Sequence, residues 1–184
     1  MIDWGNFSIF FSTGIPLEVL WLSLIITAVL LIVGYKWSRV NNKKKYTLWV
    51  LLVEYAFVVV CSTIICRKPM CFEFDRLELT PFWIYNSVLT HVPGVSVWDI
   101  VLNVALFLPF VFLVKLLAPS LSLIKILGLA IICSLIIETN QYVFEKGIAH
   151  IDDAMHNVIG TAIGWLVAKT VLECSSKRNI NTLS

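Results

Sequence analysis

The stretch LIIETNQYVFEKGIAHIDDAMHNVIGTAIGW, from Leu135 to Trp165, decides how this chain folds. It ends one apolar run, crosses a short polar segment and starts the next apolar run. It contains several acidic and amide side chains, which are rare in the other apolar runs. Carboxylates and amides at membrane depth are energetically expensive, and they usually mark a functional interior site or a paired structural one. We therefore expect the function of the chain to centre on this stretch.

The amino-acid composition identifies the class of protein. Of the 184 residues, 59% are hydrophobic and only 14% are charged, and the mean hydropathy of +0.87 is far above that of a soluble domain. The sequence therefore predicts an all-α, polytopic membrane protein with a single transmembrane domain over residues 1–184. The net charge of +2 is small and the basic residues lie next to apolar runs, which argues against a nucleic-acid partner.

Five apolar runs are long enough to cross a bilayer, which takes about 20 residues. The long connection between the second and third runs contains the segment TPFWIY at Thr80–Tyr85, which is too short to cross. We expect this outer loop to lie in the membrane interface, where aromatic side chains are favoured. The predicted spans are Ile15–Tyr35, Thr47–Cys66, Ile100–Ala118, Leu121–Tyr142 and Met155–Leu172.

The distribution of basic residues predicts the orientation, because lysine and arginine are concentrated in cytoplasmic segments. With five spans, ten of the 14 basic residues lie on the side of the carboxyl terminus and four lie on the other side. We therefore expect the amino terminus outside and the carboxyl terminus in the cytoplasm. The start of the third span, the end of the fourth and the start of the fifth then meet at the outer surface.

Polar residues at helical spacing predict a site at that surface. Residues three or four positions apart lie on one face of a helix. Three such pairs occur, one in each of the last three spans, and we expect them to face one another. They are Asp99 with Asn103, Glu138 with Gln141, and Asp153 with Asn157. Glu138 lies about one turn inside its span, so we expect it to be protonated or paired, with Arg76 as the leading candidate partner.

Several of these residues also have structural interpretations that the sequence leaves open. Asp152 or Asp153 can cap the fifth span by accepting hydrogen bonds from backbone N–H groups. Asn103 can be an anchor between two helices. Glu54, in the middle of the second span, is either a hydrogen-bonded structural acid or part of a proton path.

Three further residues are predicted to shape the helices. Pro109 lies in the middle of the third span, where it removes a helix hydrogen bond and favours a kink. Gly160 and Gly164 lie four positions apart in the fifth span, where small residues let a neighbouring helix approach closely.

The sequence predicts no cofactor and no metal site. His150, Asp152 and His156 are ligand types for a divalent metal, but they lack the two-histidine helical spacing of metalloproteases. Nucleophile elbows, phosphate-binding glycine loops and dinucleotide fingerprints are absent from the sequence. Cys66 and Cys71 can form a disulfide in an oxidising compartment, and spacing alone leaves that pairing open.

Three segments resemble the signature blocks of VanZ-like integral membrane proteins. They are LELTPF at Leu77–Phe82, DIVLNVALFLPF at Asp99–Phe110 and ETNQYVFEKGIAHIDDAMHNVIGTAIG at Glu138–Gly164. The blocks occur in the order of the family and cover most of residues 77–165. The chain departs from the family pattern where Glu78 replaces a frequent asparagine, Val111 a glycine, Ile148 an arginine and His150 an aspartate.

The resemblance implies a bacterial cell-membrane protein of the type associated with low-level resistance to the glycopeptide teicoplanin in Gram-positive bacteria. It also implies a set of equivalent positions: Pro81, Phe82, Asn103, Phe107, Pro109, Phe110, Glu138, Gln141, Asp153, Asn157, Gly160 and Gly164. Combined with the spacing above, it gives the residues that we expect to contact a ligand: Arg76, Pro81, Phe82, Asp99, Asn103, Glu138, Gln141, Asp153 and Asn157.

Three functions are compatible with these features, and membrane lipids are the expected partners in each. The preferred one is non-enzymatic, with an outer polar pocket that binds an envelope lipid, a lipid-linked cell-wall precursor or an amphiphilic drug such as a glycopeptide. The second is a membrane enzyme acting on a lipid-linked cell-wall substrate, with Glu138 and Asp153 as candidate catalytic acid and base. The third is a proton-coupled transporter. The sequence predicts neither the ligand nor the oligomeric state.

Overall fold

Five long apolar helices and one short helix make up most of the computed structural model, which describes residues 17–37, 42–66, 77–92 and 95–181. The five long helices have the length and composition to cross a membrane, which confirms the predicted all-α polytopic fold. In chain order the helices are α1 (Leu17–Trp37), α2 (Lys43–Val60), the short α3 (Trp83–Leu89), α4 (Val97–Leu117), α5 (Leu123–Val143) and α6 (Ile151–Asn181).

The fifth span differs most from its predicted bounds. The sequence predicts Met155–Leu172, whereas α6 runs from Ile151 to Asn181. The helix starts earlier because Asp152 and Asp153, which an apolar window excludes, lie in its first turn and form hydrogen bonds to other elements. It ends later because the tail keeps its helical hydrogen bonds although its side chains are too polar for the hydrocarbon core.

The second span also has ends that hydropathy does not predict. It starts at Lys43 instead of Thr47 because the side chain of Asn42 caps it, accepting a 3.0 Å hydrogen bond from the Lys45 N–H. Beyond Val60 the chain continues as one π-helical turn, Cys61–Ile65. A π-turn widens the helix and leaves carbonyl groups to be satisfied by other donors.

The most extensive helix interface joins α4 and α6. A Cβ atom added at Gly160 would lie 2.9 Å from the carbonyl carbon of Val104, and one added at Gly164 would lie 3.2 Å from that of Leu108. Both distances are too short for an ordinary side chain, so the two glycines let the backbones of α4 and α6 touch. Ala168, one turn further along, is fully buried.

Helix α4 continues through Pro109. A proline lacks the N–H that would bond to the carbonyl group four positions earlier, here that of Ala105. The hydroxyl of Tyr55 in α2 lies 3.4 Å from the Ala105 oxygen and donates a 2.8 Å hydrogen bond to the Leu106 oxygen. One contact between α2 and α4 is therefore made at the carbonyl group that Pro109 leaves free and at the neighbouring carbonyl group of Leu106.

One end of the bundle, which we name the loop-rich end, carries α3 and two short strands. Strand β1 (Leu77–Glu78) pairs in parallel with β2 (Ala149–His150), with Leu77 opposite Ala149 and Glu78 opposite His150. The Lys146 ammonium group, between α5 and β2, donates hydrogen bonds to the carbonyl oxygens of Ile64 and Ile65 at the end of the π-turn. The ends of α2 and α5 and the starts of α4 and α6 therefore meet at this end.

Candidate functional site

The first two turns of α6 present buried polar side chains to two different neighbours. Asp152 and His156, four positions apart, contact residues of α3 and the turn before it. Asp153 and Asn157, also four positions apart, contact α4 and α5. All four residues are buried. A single helix start therefore organises both the membrane bundle and the segment at its loop-rich end.

The face of α6 that meets α4 and α5 brings together three of the predicted residues. The amide of Asn103 donates a hydrogen bond to Asp153 Oδ1, and Asn157 Nδ2 donates a 2.8 Å hydrogen bond to the hydroxyl of Ser134 in α5. Asn157 Oδ1 is buried and has no hydrogen-bond partner among the described residues. Sequence analysis missed Ser134, although its place one turn before Glu138, on the same helix face, is a signal that could have found it.

His150 lies where these elements meet, and its surroundings are acidic. Its Nδ1 atom is 3.2 Å from Asp153 Oδ1. Burial alone would lower the pKa of His150, but the contact with Asp153 and the charges of Glu138 and Asp99 outweigh it and raise the pKa above its usual value. The imidazole therefore retains a proton to a higher pH than a solvated histidine does.

Asp152 has a different partner from the one that the cap hypothesis assigned to it. Its carboxylate accepts hydrogen bonds of 2.6 Å from the Phe82 N–H and 2.9 Å from the Ile84 N–H. Since Phe82 is the residue that precedes α3, Asp152 caps α3 and not the helix in which it lies. The Asp153 side chain is likewise bonded to Asn103 instead of to the start of α6.

His156 and His150 fix two aromatic side chains of α3. Nε2 of His156 lies 2.9 Å from the hydroxyl oxygen of Tyr85, with the two rings edge to face. The Trp83 ring lies 5.6 Å from the His150 ring, centroid to centroid. Neither Trp83 nor Tyr85 was among the predicted site residues, because an aromatic residue in an interfacial segment has no distinguishing pattern in sequence.

The remaining predicted residues have more varied positions. Asp99 closes the capping box of α4, where Oδ2 accepts a 2.7 Å hydrogen bond from the Ser96 N–H. Gln141 is buried in α5, whereas Pro81 and Phe82 are exposed. Arg76 lies outside the described residues, and so does its predicted pairing with Glu138.

Two other sequence predictions concern metal and disulfide chemistry. His150, Asp152 and His156 bind separate partners, and within residues 17–37, 42–66, 77–92 and 95–181 no three side chains of His, Cys, Asp or Glu are grouped to hold a metal ion. Cys66 has a free thiol, and Cys71 lies outside the described residues.

A recess lined by apolar side chains lies between α4 and α5, about two turns along α4 from Asn103. Its enclosed volume of about 10 Å³ is close to the minimum that one water molecule needs, so it is a packing gap between the two helices and not a ligand pocket. Its lining residues are Phe110, Val111, Val114, Ile126, Leu129 and Ala130.

A comparison of the chain with models of protein families gives a match over most of its length. The model of the VanZ/LLP1 family matches residues 20–172, a range that includes all or most of each membrane-spanning helix and the whole loop-rich end. The chain belongs to the VanZ/LLP1 family. The resemblance carried by the three sequence blocks is thereby confirmed. No curated protein and no solved structure is significantly similar to the chain.

Family membership and the five apolar helices together make this VanZ/LLP1 protein a multi-pass membrane protein. The matched range contains the glycine contacts between α4 and α6. It also contains every residue of the hydrogen bonds that join α3 and the preceding turn to Asp152 and His156. The family resemblance therefore covers the candidate site as well as the scaffold.

Proposed function

We propose that this VanZ/LLP1 protein is a non-enzymatic binding protein whose loop-rich end takes up the head group of an envelope amphiphile. One observation carries the proposal: buried and half-buried polar side chains from three helices and β2 converge at one end of the bundle. Buried polar groups in a membrane protein are costly and usually functional. We call these residues the polar cluster: Asn103, Ser134, Glu138, His150, Asp153 and Asn157.

Exposed apolar residues border the polar cluster and support an amphiphilic ligand. Leu79, Phe82 and Leu89 are each more than 60% exposed, although they lie in a segment attached to buried polar groups. An amphiphile has a polar part for the cluster and an apolar part for this surface. Envelope lipids, lipid-linked cell-wall precursors and amphiphilic glycopeptides all have this character.

The proposed setting is a bacterial cell membrane, with the loop-rich end on the outer side. The opposite end and the carboxyl-terminal tail carry ten of the 14 basic residues, and such segments normally remain in the cytoplasm. In this orientation the polar cluster lies at the membrane surface where cell-wall precursors are exposed. A teicoplanin-type resistance role follows if the protein alters how the glycopeptide reaches its target there.

The test combines binding with resistance. The purified protein is exchanged into detergent and examined by native mass spectrometry for retained lipid, alone and with added teicoplanin. Asp153→Asn and Asn157→Leu are compared with wild type, and Glu173→Gln, an exposed change in the tail, is the matched control. We expect the first two variants to lose retained ligand and to lower the teicoplanin concentration that a Gram-positive host tolerates. Retention and resistance equal to wild type in both variants would contradict the proposal.

A second function, a membrane enzyme acting on a lipid-linked substrate, is favoured by the contact between His150 and Asp153. A carboxylate that holds one ring nitrogen of a histidine orients the other nitrogen for proton transfer. In this case His150 Nε2 would be the catalytic base and Asp153 its positioning residue. Turnover of a labelled lipid-linked precursor that is lost in His150→Gln, while binding is kept, would favour the enzyme over the binding protein.

A further inference from the structure

Two aromatic side chains at the loop-rich end form an exposed pair that buried residues hold in place. The rings of Phe82 and Tyr85 lie 6.1 Å apart, centroid to centroid, at an angle of 47°, and their residues are 61% and 42% exposed. Each is attached to the first turns of α6, Phe82 through its backbone N–H to Asp152 and Tyr85 through its hydroxyl to His156.

Phe82 adopts a backbone conformation that a bulky residue avoids. Its φ of 66° and ψ of 13° place it in the left-handed region, which is unfavourable for a residue with a side chain. The hydrogen bond from the Phe82 N–H to Asp152 helps to stabilise this conformation. Strain of this kind is concentrated at functional sites, and here its effect is to keep an aromatic ring at the surface.

The hydrogen bonds available to His156 determine whether the Tyr85 hydroxyl donates to the histidine or accepts from it. His156 is 2% exposed, so a charged imidazole would be costly and the neutral tautomers are the relevant ones. Nδ1 is buried with no hydrogen-bond partner in the described part of the chain. A proton on Nδ1 would leave a buried N–H donor unsatisfied, whereas a proton on Nε2 leaves only an unused lone pair on Nδ1.

The favoured tautomer therefore has His156 Nε2–H donating to the Tyr85 oxygen at 2.9 Å. The Tyr85 oxygen accepts this bond, and its own O–H is left to donate to another acceptor. The aromatic pair thus combines an apolar ring with one hydrogen-bond donor on a residue that is 42% exposed.

The chemistry of the aromatic pair selects the kind of acceptor. Neither Phe82 nor Tyr85 carries a positive charge that could hold a phosphate, so the pair suits an uncharged oxygen for the Tyr85 O–H and an apolar chain for the Phe82 ring. The neutral acceptors at the depth of an interfacial aromatic residue are the acyl ester carbonyls, between head groups and hydrocarbon.

We propose that Phe82 and Tyr85 bind the glycerol ester region of a diacyl phospholipid, with the Tyr85 hydroxyl donating a hydrogen bond to an ester carbonyl and the Phe82 ring against the adjoining acyl chain. The inference rests on the proposed function, because it takes the amphiphile at the loop-rich end to be a lipid. It adds the lipid's chemical class and one contact residue, Tyr85, and it gives a specific partner to Phe82, which the sequence already predicts to contact a ligand.

The test compares a diacyl phosphatidylglycerol with its dialkyl ether analogue, which has the same head group and chain length but no carbonyl groups. Each lipid is titrated into the purified full-length protein in detergent, and binding is measured by native mass spectrometry. We expect wild type to prefer the ester lipid about three- to tenfold, the effect of one hydrogen bond. We expect Tyr85→Phe to bind both lipids equally. Tyr35→Phe is the matched control, since Tyr35 is 45% exposed at the opposite end, and it should keep the ester preference.

The outcomes separate this inference from the proposed function. If wild type binds both lipids equally well, or if Tyr85→Phe keeps the preference for the ester, the inference is overturned while lipid binding at the loop-rich end stands. If wild type binds neither lipid, the inference is overturned, and the proposed function is decided separately by the retained ligand and the teicoplanin resistance of the Asp153→Asn and Asn157→Leu variants. The comparison of the two lipids on wild type needs no variant, so it remains decisive if Tyr85→Phe does not fold.

Discussion

The carboxylate of Asp152 accepts a 2.9 Å hydrogen bond from the backbone N–H of Ile84, which lies 68 positions earlier in the chain. The same carboxylate bonds to the Phe82 N–H, 70 positions earlier. These two bonds attach a seven-residue helix, too short to be stable by itself, to the first turn of the longest helix. The position of α3 is therefore determined by α6 and not by its own sequence.

Removing the Asp152 carboxylate is expected to loosen α3. In Asp152→Ala the N–H groups of Phe82 and Ile84 lose their acceptor, and an unsatisfied buried donor costs about 1–3 kcal/mol. We expect a lower thermal unfolding midpoint in detergent and faster amide hydrogen exchange at Phe82 and Ile84. Glu173→Gln, at an exposed position, should leave both measurements unchanged. Unaltered exchange at both amides in Asp152→Ala would show that the carboxylate does not hold α3.

The glycine contacts of α6 predict a difference between two kinds of Gly→Ala substitution. A methyl group at Gly160 would overlap the backbone of Val104, so Gly160→Ala should separate α4 from α6 and destabilise the protein by about 1–3 kcal/mol. A Cβ at Gly128 has no neighbouring atom within 4 Å. Gly128→Ala should therefore be neutral or stabilise the helix by up to about 1 kcal/mol. Thermal unfolding in detergent measures both, and equal midpoints for the two variants would refute the close packing.

The raised pKa of His150 predicts that the stability of the folded protein depends on pH. A histidine whose pKa is raised in the folded state stabilises that state below the pKa of the unfolded chain, about 6.5, and loses the effect as the pH rises through the raised value. The groups responsible are Asp153 on α6, Glu138 on α5 and Asp99 on α4. The carboxylate of Glu78, on the neighbouring strand, has its pKa lowered mainly by its hydrogen bonds with Thr80 and to a smaller extent by His150.

The measurement is the thermal unfolding midpoint of wild type and His150→Gln between about pH 5.5 and 8.5. We expect the advantage of wild type to be largest at the acidic end and to shrink toward the alkaline end. His91→Gln, at an exposed position, should follow wild type. A constant difference between wild type and His150→Gln would exclude a linked proton at this site.

The hydrogen bonds of Glu54, in the middle of the second span, predict that two substitutions at this position differ in their effect on stability. Its two carboxylate oxygens lie 2.8 Å from the hydroxyl oxygens of Ser23 and Thr27 in α1. Glu54→Gln keeps groups that can bond to both hydroxyls and should retain stability. Glu54→Leu removes both bonds and should cost about 1 kcal/mol, since each such bond contributes roughly half of that. If Glu54→Gln abolishes proton flux in liposomes while stability is kept, the transporter hypothesis gains support over a packing role.

Much of the fold was predictable because the thickness of the bilayer sets how many apolar residues a membrane span needs. The apolar runs therefore located all five long helices. Their ends were less predictable, because they depend on individual hydrogen bonds. Asn42 moves the start of α2 outward, and the side chains of Asp152 and Asp153 extend α6 beyond the apolar run.

The candidate site was predictable where it depends on helical spacing. Asp153 and Asn157 do share a face, and Asn103 does meet Asp153. The adjoining pair, Asp152 and His156, was not predicted to bind α3, because its partners are two backbone N–H groups and a phenol from a distant segment. Backbone groups have no signature in a sequence, so the function of Asp152 could be recognised only in three dimensions.

The attachment of α3 through both backbone and side chains has a mechanical consequence. Asp152, His156 and His150 hold three successive parts of one short segment, namely its first turn, the phenol of Tyr85 and the indole of Trp83. A molecule that displaces this segment must break the hydrogen bonds to Asp152 and His156 and separate the Trp83 ring from the His150 ring. The first turn of α6, which holds α3 through Asp152, belongs to the same continuous helix as Gly160 and Gly164, which pack against α4.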